Sequence, residues 1–248
     1  GNQYIIPKPL DPRLLDTVAP AVARAAMESG VAKKPILDWD AYAVELSKRL
    51  GTDNQLLRAI GSKARKDPKR VVFADAENSK ILKAAQIALD EGIAYPILLG
   101  DAKKIAEMAE KNNITIEGMT IIDPKSDQME EKRQAYGDIY FKKRQRRGVN
   151  FYEGYKKMKD RTHFGCMMVE TGDADAMISG LSRNYPETIR PAIQIIGTEE
   201  GVQKIAGMYI MLTKRGPLFL ADTTVNFNPT AEELADITLL VAKEVRSF

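Results

Sequence analysis

Between Arg70 and Ile122 short apolar runs alternate with amphipathic segments of helical length, and that alternation limits the fold more than any other feature of the chain. Val71-Val72-Phe73 has the pattern of a buried strand. A helix over about 78–91, a strand Tyr95–Leu99, a helix over about 101–112 and a strand Thr120–Ile122 follow. Strands separated by helices of about 10–15 residues need crossover connections, which set the strands parallel and cover the sheet with helices. Residues 126–172 then read as almost wholly helical and charged.

Two further strand–loop–helix blocks come after this helical stretch. In the first, Ala176-Met177-Ile178 ends at Ser179-Gly180, and a helix pattern resumes after Pro186 with Ile189, Ile193 and Ile196. In the second, Leu218-Phe219-Leu220 ends at Ala221-Asp222. Thr230 with Glu233 three residues on then forms a capping box, behind Pro229, for a last helix over about 230–246. The apolar runs at about 206–212 and 217–221 read as a hairpin turned through Arg215-Gly216-Pro217. Ahead of Arg70, residues 13–30 and 40–50 read as helices. Leu14, Leu15, Val18, Val22, Ala25 and Ala26 recur at helical spacing, Gly30 suits a C-cap, and Pro20 suggests that the first helix starts there. Gly51-Thr52-Asp53 and Lys63–Lys69 read as a connector or a fraying helix end. The expectation is a three-layer α/β fold with mainly parallel sheets and two domains flanking a cleft, preceded by a short helical segment. Its boundaries are 1–65, 66–140 and 141–248.

The chain has 248 residues, 44% hydrophobic and 29% charged, an ordinary balance for a globular protein. Its net charge of +3 is too small to argue for nucleic acid. No apolar run approaches the roughly 18 residues of a membrane span, and no leader pattern is visible. The single cysteine, Cys166, fits a reducing compartment, and a cytoplasmic protein is expected. Neither a GxGxxG nor a GxxxxGK[ST] pattern occurs. His163 is the only histidine and sits in a helical stretch beside Phe164 and Met167, as a packed residue would. Asp173 and Asp175 flank a helix–strand turn with no histidine beside them, so no metal site is expected.

Charge is concentrated in residues 142–161, where nine Lys/Arg stand against Glu153 and Asp160. Two readings are open: a solvated face of two helices broken near Gly148, or a phosphate site built on arginine forks. The aromatics Phe151, Tyr152 and Tyr155 are clustered rather than interleaved with the basic run, which argues against single-stranded nucleic acid. The loop 179–188 is a second anion candidate. Ser179 and Ser182 supply hydroxyls, Gly180 allows close backbone approach, and Arg183 and Arg190 supply charge. The N–H groups at the start of the following helix add a positive dipole end. Asn226 and Asn228 flank Phe227 and either fix their loop or contact a ligand. Asp222 is either a functional acid or a turn cap.

The pattern SG-x₇-T-x-RPA-x-Q-x-I (Ser179, Gly180, Thr188, Arg190, Pro191, Ala192, Gln194, Ile196) resembles the phosphate acetyl/butyryltransferase family. So do N-x-NPTAEELA, from Asn226 to Ala235, and the stretch Arg70–Asp101. The likeness covers roughly residues 70–248. It implies a coenzyme A site near the basic helix end of Arg144, Arg146 and Arg147, with Gly148 as its anchor. It also implies a cleft lined by the 179–190 segment, with Thr188 and Arg190 at matching positions. Between SG and T this chain reads LSRNYPE, with bulky Arg183 and Tyr185 where the family often has small hydroxyl residues.

Tyr4–Ile36 resembles the tail of the catalytic part of bacterial NADP-dependent malic enzymes, which in their long form carry a phosphotransacetylase-like domain. The resemblance implies a parent that converts malate and NADP to pyruvate, CO2 and NADPH with Mg or Mn. This region would then be its regulatory and oligomerising domain, pairing through the second subdomain and binding acetyl-CoA or a related CoA ester or acyl phosphate. The family's catalytic residues would lie beyond Phe248, and the malic-enzyme base, metal ligands and NADP site ahead of Gly1. No catalytic residue and no cofactor are therefore expected within 1–248. An active phosphate acetyltransferase and a purely structural assembly module are the alternatives.

Overall fold

The structure is a computed structural model that describes residues 12–49, 55–202, 204–213 and 216–248. The chain divides into two compact units, residues 61–203 and residues 1–60 with 204–248. The larger unit begins with β1 (Lys69–Phe73), α4 (Ser79–Asp90), β2 (Ala94–Leu99), α5 (Ala102–Lys111) and β3 (Thr120–Ile122). A helical block follows, α6 (Glu130–Arg144), α7 (Phe151–Lys157) and α8 (Arg161–Glu170), and then β4 (Ala176–Ile178) and α9 (Tyr185–Ile195). All four strands pair in parallel in the order β3-β2-β1-β4, as the strand–helix alternation requires.

Alternation along each strand divides the core between two faces. Phe73 and Leu98 pack with Leu82, Ala85, Ile105 and Ala109 of α4 and α5. Val72, Ile97 and Leu99 face the other way, onto Tyr136, Tyr140, Phe164, Met167 and Ile195 of α6, α8 and α9. The result is three layers, helix–sheet–helix. α8 buries Thr162 and Phe164 through Met168, so its sequence shows no amphipathic stripe. Cys166 lies in this core, where burial pushes its thiol up to about 12.

The return of β4 to β1 changes the expected division of the chain. Residues 141–203 were read as the start of a second domain. Instead the helical block covers one face of the first sheet, and the next strand hydrogen-bonds to the first strand, with Val71, Val72 and Phe73 opposite Ala176, Met177 and Ile178. The unit boundaries therefore fall at 60/61 and 203/204 rather than at 65/66 and 140/141.

The smaller unit holds α1 (Pro12–Glu28), α2 (Trp39–Arg49), most of the first turns of α3 (Gln55–Lys66), the antiparallel hairpin β5 (Met208–Thr213) and β6 (Gly216–Ala221), and α10 (Ala231–Val245). The hairpin pairs as expected; Arg215 of its turn lies outside the described residues, as do Gly51-Thr52-Asp53 and Tyr4–Leu10 of the N-terminal stretch. α1 starts at Pro12, eight residues earlier than expected, and runs through Pro20. Gly30 closes the end of α1, with its N–H on the Met27 carbonyl at 3.1 Å. Of the two readings of the charged segment, Lys63–Lys66 takes the helix end, closing α3. Thr230 and Glu233 form the predicted capping box of α10.

α6 and α7 meet through two glycines. A Cβ on Gly137 would stand 2.9 Å from the Tyr155 Cα, and one on Gly154 would stand 2.9 Å from the Gly137 carbonyl oxygen. Backbone cannot yield as a side-chain tip can. Gly137→Ala is expected to lower unfolding stability by about 1–3 kcal/mol through this forced separation. Chemical denaturation measures it, and Ala135→Gly on the same helix controls for propensity.

Candidate functional site

In the order β3-β2-β1-β4 the chain reverses direction of sheet growth between β1 and β4, and parallel sheets place ligands beyond the strand ends at such a point. The residues that leave β1 and β4 there are joined by one carboxylate. Asp75, 4% exposed, accepts the N–H groups of Gly180 and Leu181 on Oδ2 at 3.0 and 3.2 Å and the Ser182 hydroxyl on Oδ1. Burial alone would raise the Asp75 carboxyl. The Ser182 hydroxyl, the two N–H groups and the charge of Arg161 outweigh it and hold the carboxyl below the ordinary range. Gly180 has φ of 121°, a value that a side chain at this position would strain.

This arrangement reassigns parts of the predicted anion loop. The Ser182 hydroxyl is committed to Asp75, and Thr188 donates to the Asn184 carbonyl one turn back at 3.1 Å. Asn184 caps α9 by accepting the Glu187 N–H. The Ser179 hydroxyl is buried and has no hydrogen-bond partner among the described residues. Arg190 is exposed on α9, and Arg183 pairs with Asp160.

The arginines of the basic turn stand at the far end of α9. Lys143 Nζ donates to the Ile195 carbonyl at 2.8 Å, and Tyr140 donates to Gln194 at 2.9 Å, so the C-terminal end of α6 lies against the last turn of α9. The 179–184 loop enters α9 about 15 Å away at the helical rise. Arg144 continues α6, Arg146 and Arg147 occupy a single 3-10 turn, and Gly148 with φ of 86° ends it. Two helices do break at Gly148, and Arg146 and Arg147 are exposed.

Asn226 and Asn228 lie in the smaller unit. Asn226 donates from Nδ2 to the Ile205 carbonyl at 2.8 Å and to Asp222 at 2.6 Å, and Asp222 also accepts the Gly207 and Asn226 N–H groups. Burial opposes ionisation of Asp222, yet these donors bring its carboxyl down to about 2. Asn226 and Asp222 thereby tie the 222–226 loop to Ile205 and Gly207. Asn228 is exposed with φ of 52°, a left-handed turn that Asn tolerates. Asp173 and Asp175 are likewise engaged, by Lys132 and Tyr136 and by Arg70. Among the described residues no group of three or more His, Cys, Asp or Glu could hold a metal ion.

A cavity of about 460 Å³ opens beyond the ends of β1, β2 and β3. Three of its four acids, Glu77, Asp101 and Asp123, follow strand ends and were not singled out from the sequence. Glu77 accepts the Asp101 N–H at 3.1 Å and pairs with Arg161 at 3.2 Å. Asp101 caps α5, and Asp123 accepts the Lys125 N–H. Asp160 caps α8, pairs with Arg183 and lies 2.8 Å from His163 Nδ1. Partial burial opposes ionisation of Asp160, yet His163 and Arg183 hold its carboxyl well below the carboxylate range. Four of the remaining lining residues are lysines, two of them from the far half of the basic run that drew attention for its arginines. The legible signal was positional: an acid one to four residues past each of β1, β2 and β3.

A protein-family model described as phosphate acetyl/butaryl transferase matches residues 55–248. The chain belongs to the phosphate acetyl/butaryl transferase family. It resembles the EutD phosphotransacetylase from Staphylococcus aureus with a TM-score of 0.71 at 26% identity, over 79% of this chain and 58% of that one. The phosphate acetyltransferase of Clostridium acetobutylicum is 33% identical over 78% of this chain and 59% of its own length. The NADP-dependent malic enzymes of Escherichia coli and Salmonella typhimurium are 40% and 39% identical over all of it. The chain spans 33% of the length of those malic enzymes, their transferase-like part. No helix among the described residues is long and apolar enough to cross a membrane.

Within this family fold, Asp75 is the tie between β1 and the β4–α9 loop. Asp75→Ala leaves two N–H groups and a hydroxyl without their acceptor and is expected to cost about 1–3 kcal/mol, most of it restored by Asp75→Asn. The part that depends on the charge follows the sign of a depressed carboxyl: fully present above the unfolded value of about 4, and lost as pH falls through the lower folded value. Denaturation at pH 7 and pH 3 checks it, the gap between wild type and Asp75→Ala being the larger at pH 7.

Proposed function

We propose that this chain is the regulatory and oligomerising module of an NADP-dependent malic enzyme, and that it binds acetyl-CoA or a related CoA ester. One observation carries the parentage. The family model begins at residue 55 and the Clostridium phosphate acetyltransferase match covers 78% of the chain, whereas the malic-enzyme matches cover it entirely. The residues ahead of the transferase fold are therefore kept in company with malic enzymes. On this reading NADP and Mg or Mn serve the malate chemistry in the remaining part of the parent, and the present module acts on it by linkage: a ligand that binds one state better shifts the population toward that state.

Arg144 and Arg190 support the ligand class. Arg190 is exposed, Arg144 Nε is buried without a partner, and neither side chain makes a hydrogen bond or ion pair among the described residues. A guanidinium so placed presents its donor fork to phosphate oxygens. The exposed apolar side chains of the hairpin, Tyr209, Met211, Leu212 and Leu218 among them, support self-association. Transfer of acetyl between CoA and phosphate is the second reading, favoured by the phosphotransacetylase neighbours.

Calorimetric titration with acetyl-CoA tests the proposal. Binding to the wild-type chain is expected, weakened about tenfold by each of Arg144→Ala and Arg190→Ala, since each removes a charged hydrogen-bond donor. In the longer malic enzyme, acetyl-CoA is expected to change the malate kinetics, and unaltered kinetics would sink the regulatory reading. Acetyl phosphate formed from acetyl-CoA and phosphate would favour the transferase.

A further inference from the structure

We propose that the cavity beyond β1, β2 and β3 is a diphosphate site, argued from other residues than those that support the CoA-ester reading. The argument begins with the charges that are already satisfied. Glu77 and Asp160 are each paired with an arginine, and Asp101 and Asp123 accept backbone N–H groups at helix and turn starts. The ammonium groups of Lys104, Lys125, Lys156 and Lys159 have no such answer. They line the same cavity, and none makes a hydrogen bond or ion pair among the described residues; Lys159 only lies 5.5 Å over the Tyr155 ring. Arg161 adds a buried Nη1 that makes no hydrogen bond and has only the Glu77 carboxylate 3.2 Å away.

Six cations against four carboxylates leave the lining with a charge of +2. The surplus sits on lysines carried by α5, by the turn after β3, and by α7 and the turn after it, elements that converge on one bowl. Like charges so gathered repel, and an occupant with two or more negative charges relieves that repulsion where a monoanion does not. Lysine supplies mobile point charges rather than planar forks, which suits oxygens spread over two phosphoryl groups. The cavity lies within the range of about 300–1,000 Å³ found for small-molecule sites.

The walls narrow the class further. Among the described residues no aromatic side chain lines the cavity, and Gly100 and Pro124 provide its apolar contacts. Nothing is present on which a base could stack. Recognition therefore falls on the diphosphate group, whether free or carried by a nucleoside. The ordinary guests of such a site are pyrophosphate and nucleoside diphosphates, bound alike.

Titration of the 248-residue chain with inorganic pyrophosphate, ADP and adenosine, at low salt and without divalent metal, tests this. Pyrophosphate and ADP are expected to bind within about threefold of one another, and adenosine not at all, because only the phosphoryl oxygens meet charged donors. Lys156→Gln/Lys159→Gln is expected to weaken pyrophosphate at least about tenfold, and raised salt should weaken the wild type. Both lysines are exposed, and an unchanged melting temperature confirms that the variant folds. Arg144→Ala should leave pyrophosphate binding intact while acting on acetyl-CoA. Absent pyrophosphate binding, or binding that the lysine variant leaves unaltered, would overturn the diphosphate site even if acetyl-CoA binds. ADP bound far more tightly than pyrophosphate would overturn recognition without a base.

Discussion

The parallel pairing of β4 with β1 is the constraint from which the rest of the larger unit follows. It joins residues more than a hundred positions apart, and so must hold after every intervening helix has been placed. Two polar clamps secure it at the strand ends. Arg70 takes Asp175 in a two-pronged ion pair before the strands, and Asp75 gathers the backbone of Gly180 and Leu181 after them. Between the clamps only three residue pairs are in register, so hydrogen bonding within the sheet alone would specify the alignment weakly.

That long-range closure is also what the sequence conceals. Each strand and helix from β1 to β3 was legible because its period and caps are local properties of the chain. Asn78 and Asp101 at their helix starts, and Thr230 with Glu233, behave as their neighbours dictate. The destination of Ala176–Ile178 was not legible. A three-residue apolar run fits equally well beside β1 or in a sheet of its own, and a long helical block before it suggests a new domain. Pro20 misled for a related reason. A proline that suits a first helical position can also stand inside a helix, as Pro20 does in α1, and the local sequence does not tell the two apart.

The candidate site was legible as chemistry and not as geometry. Ser179, Gly180, Ser182, Thr188 and Arg190 do share one strand-end loop and the helix it feeds, but much of their hydrogen-bonding capacity is turned inward. Arg144, Arg146 and Arg147 belong to the opposite end of the same helix. The acids at the ends of β1, β2 and β3 went unnoticed because each, taken singly, is an ordinary polar residue at a strand end. Only the sheet brings them to one rim, and only the pairing pattern shows that their charges are spent while those of the lysines are not.

The glycine contact between α6 and α7 gives this rim a mechanical partner. Gly137 and Gly154 bring the two backbones together with no side-chain layer between them to absorb a shift. The pair of helices is in effect one stiff bracket, bent at Gly148. One arm ends at the Arg144–Arg147 corner, and the other carries Lys156 toward the cavity. The spacing between the two basic halves of residues 142–161 is thus set by backbone against backbone, and a bulkier residue at either glycine would alter it.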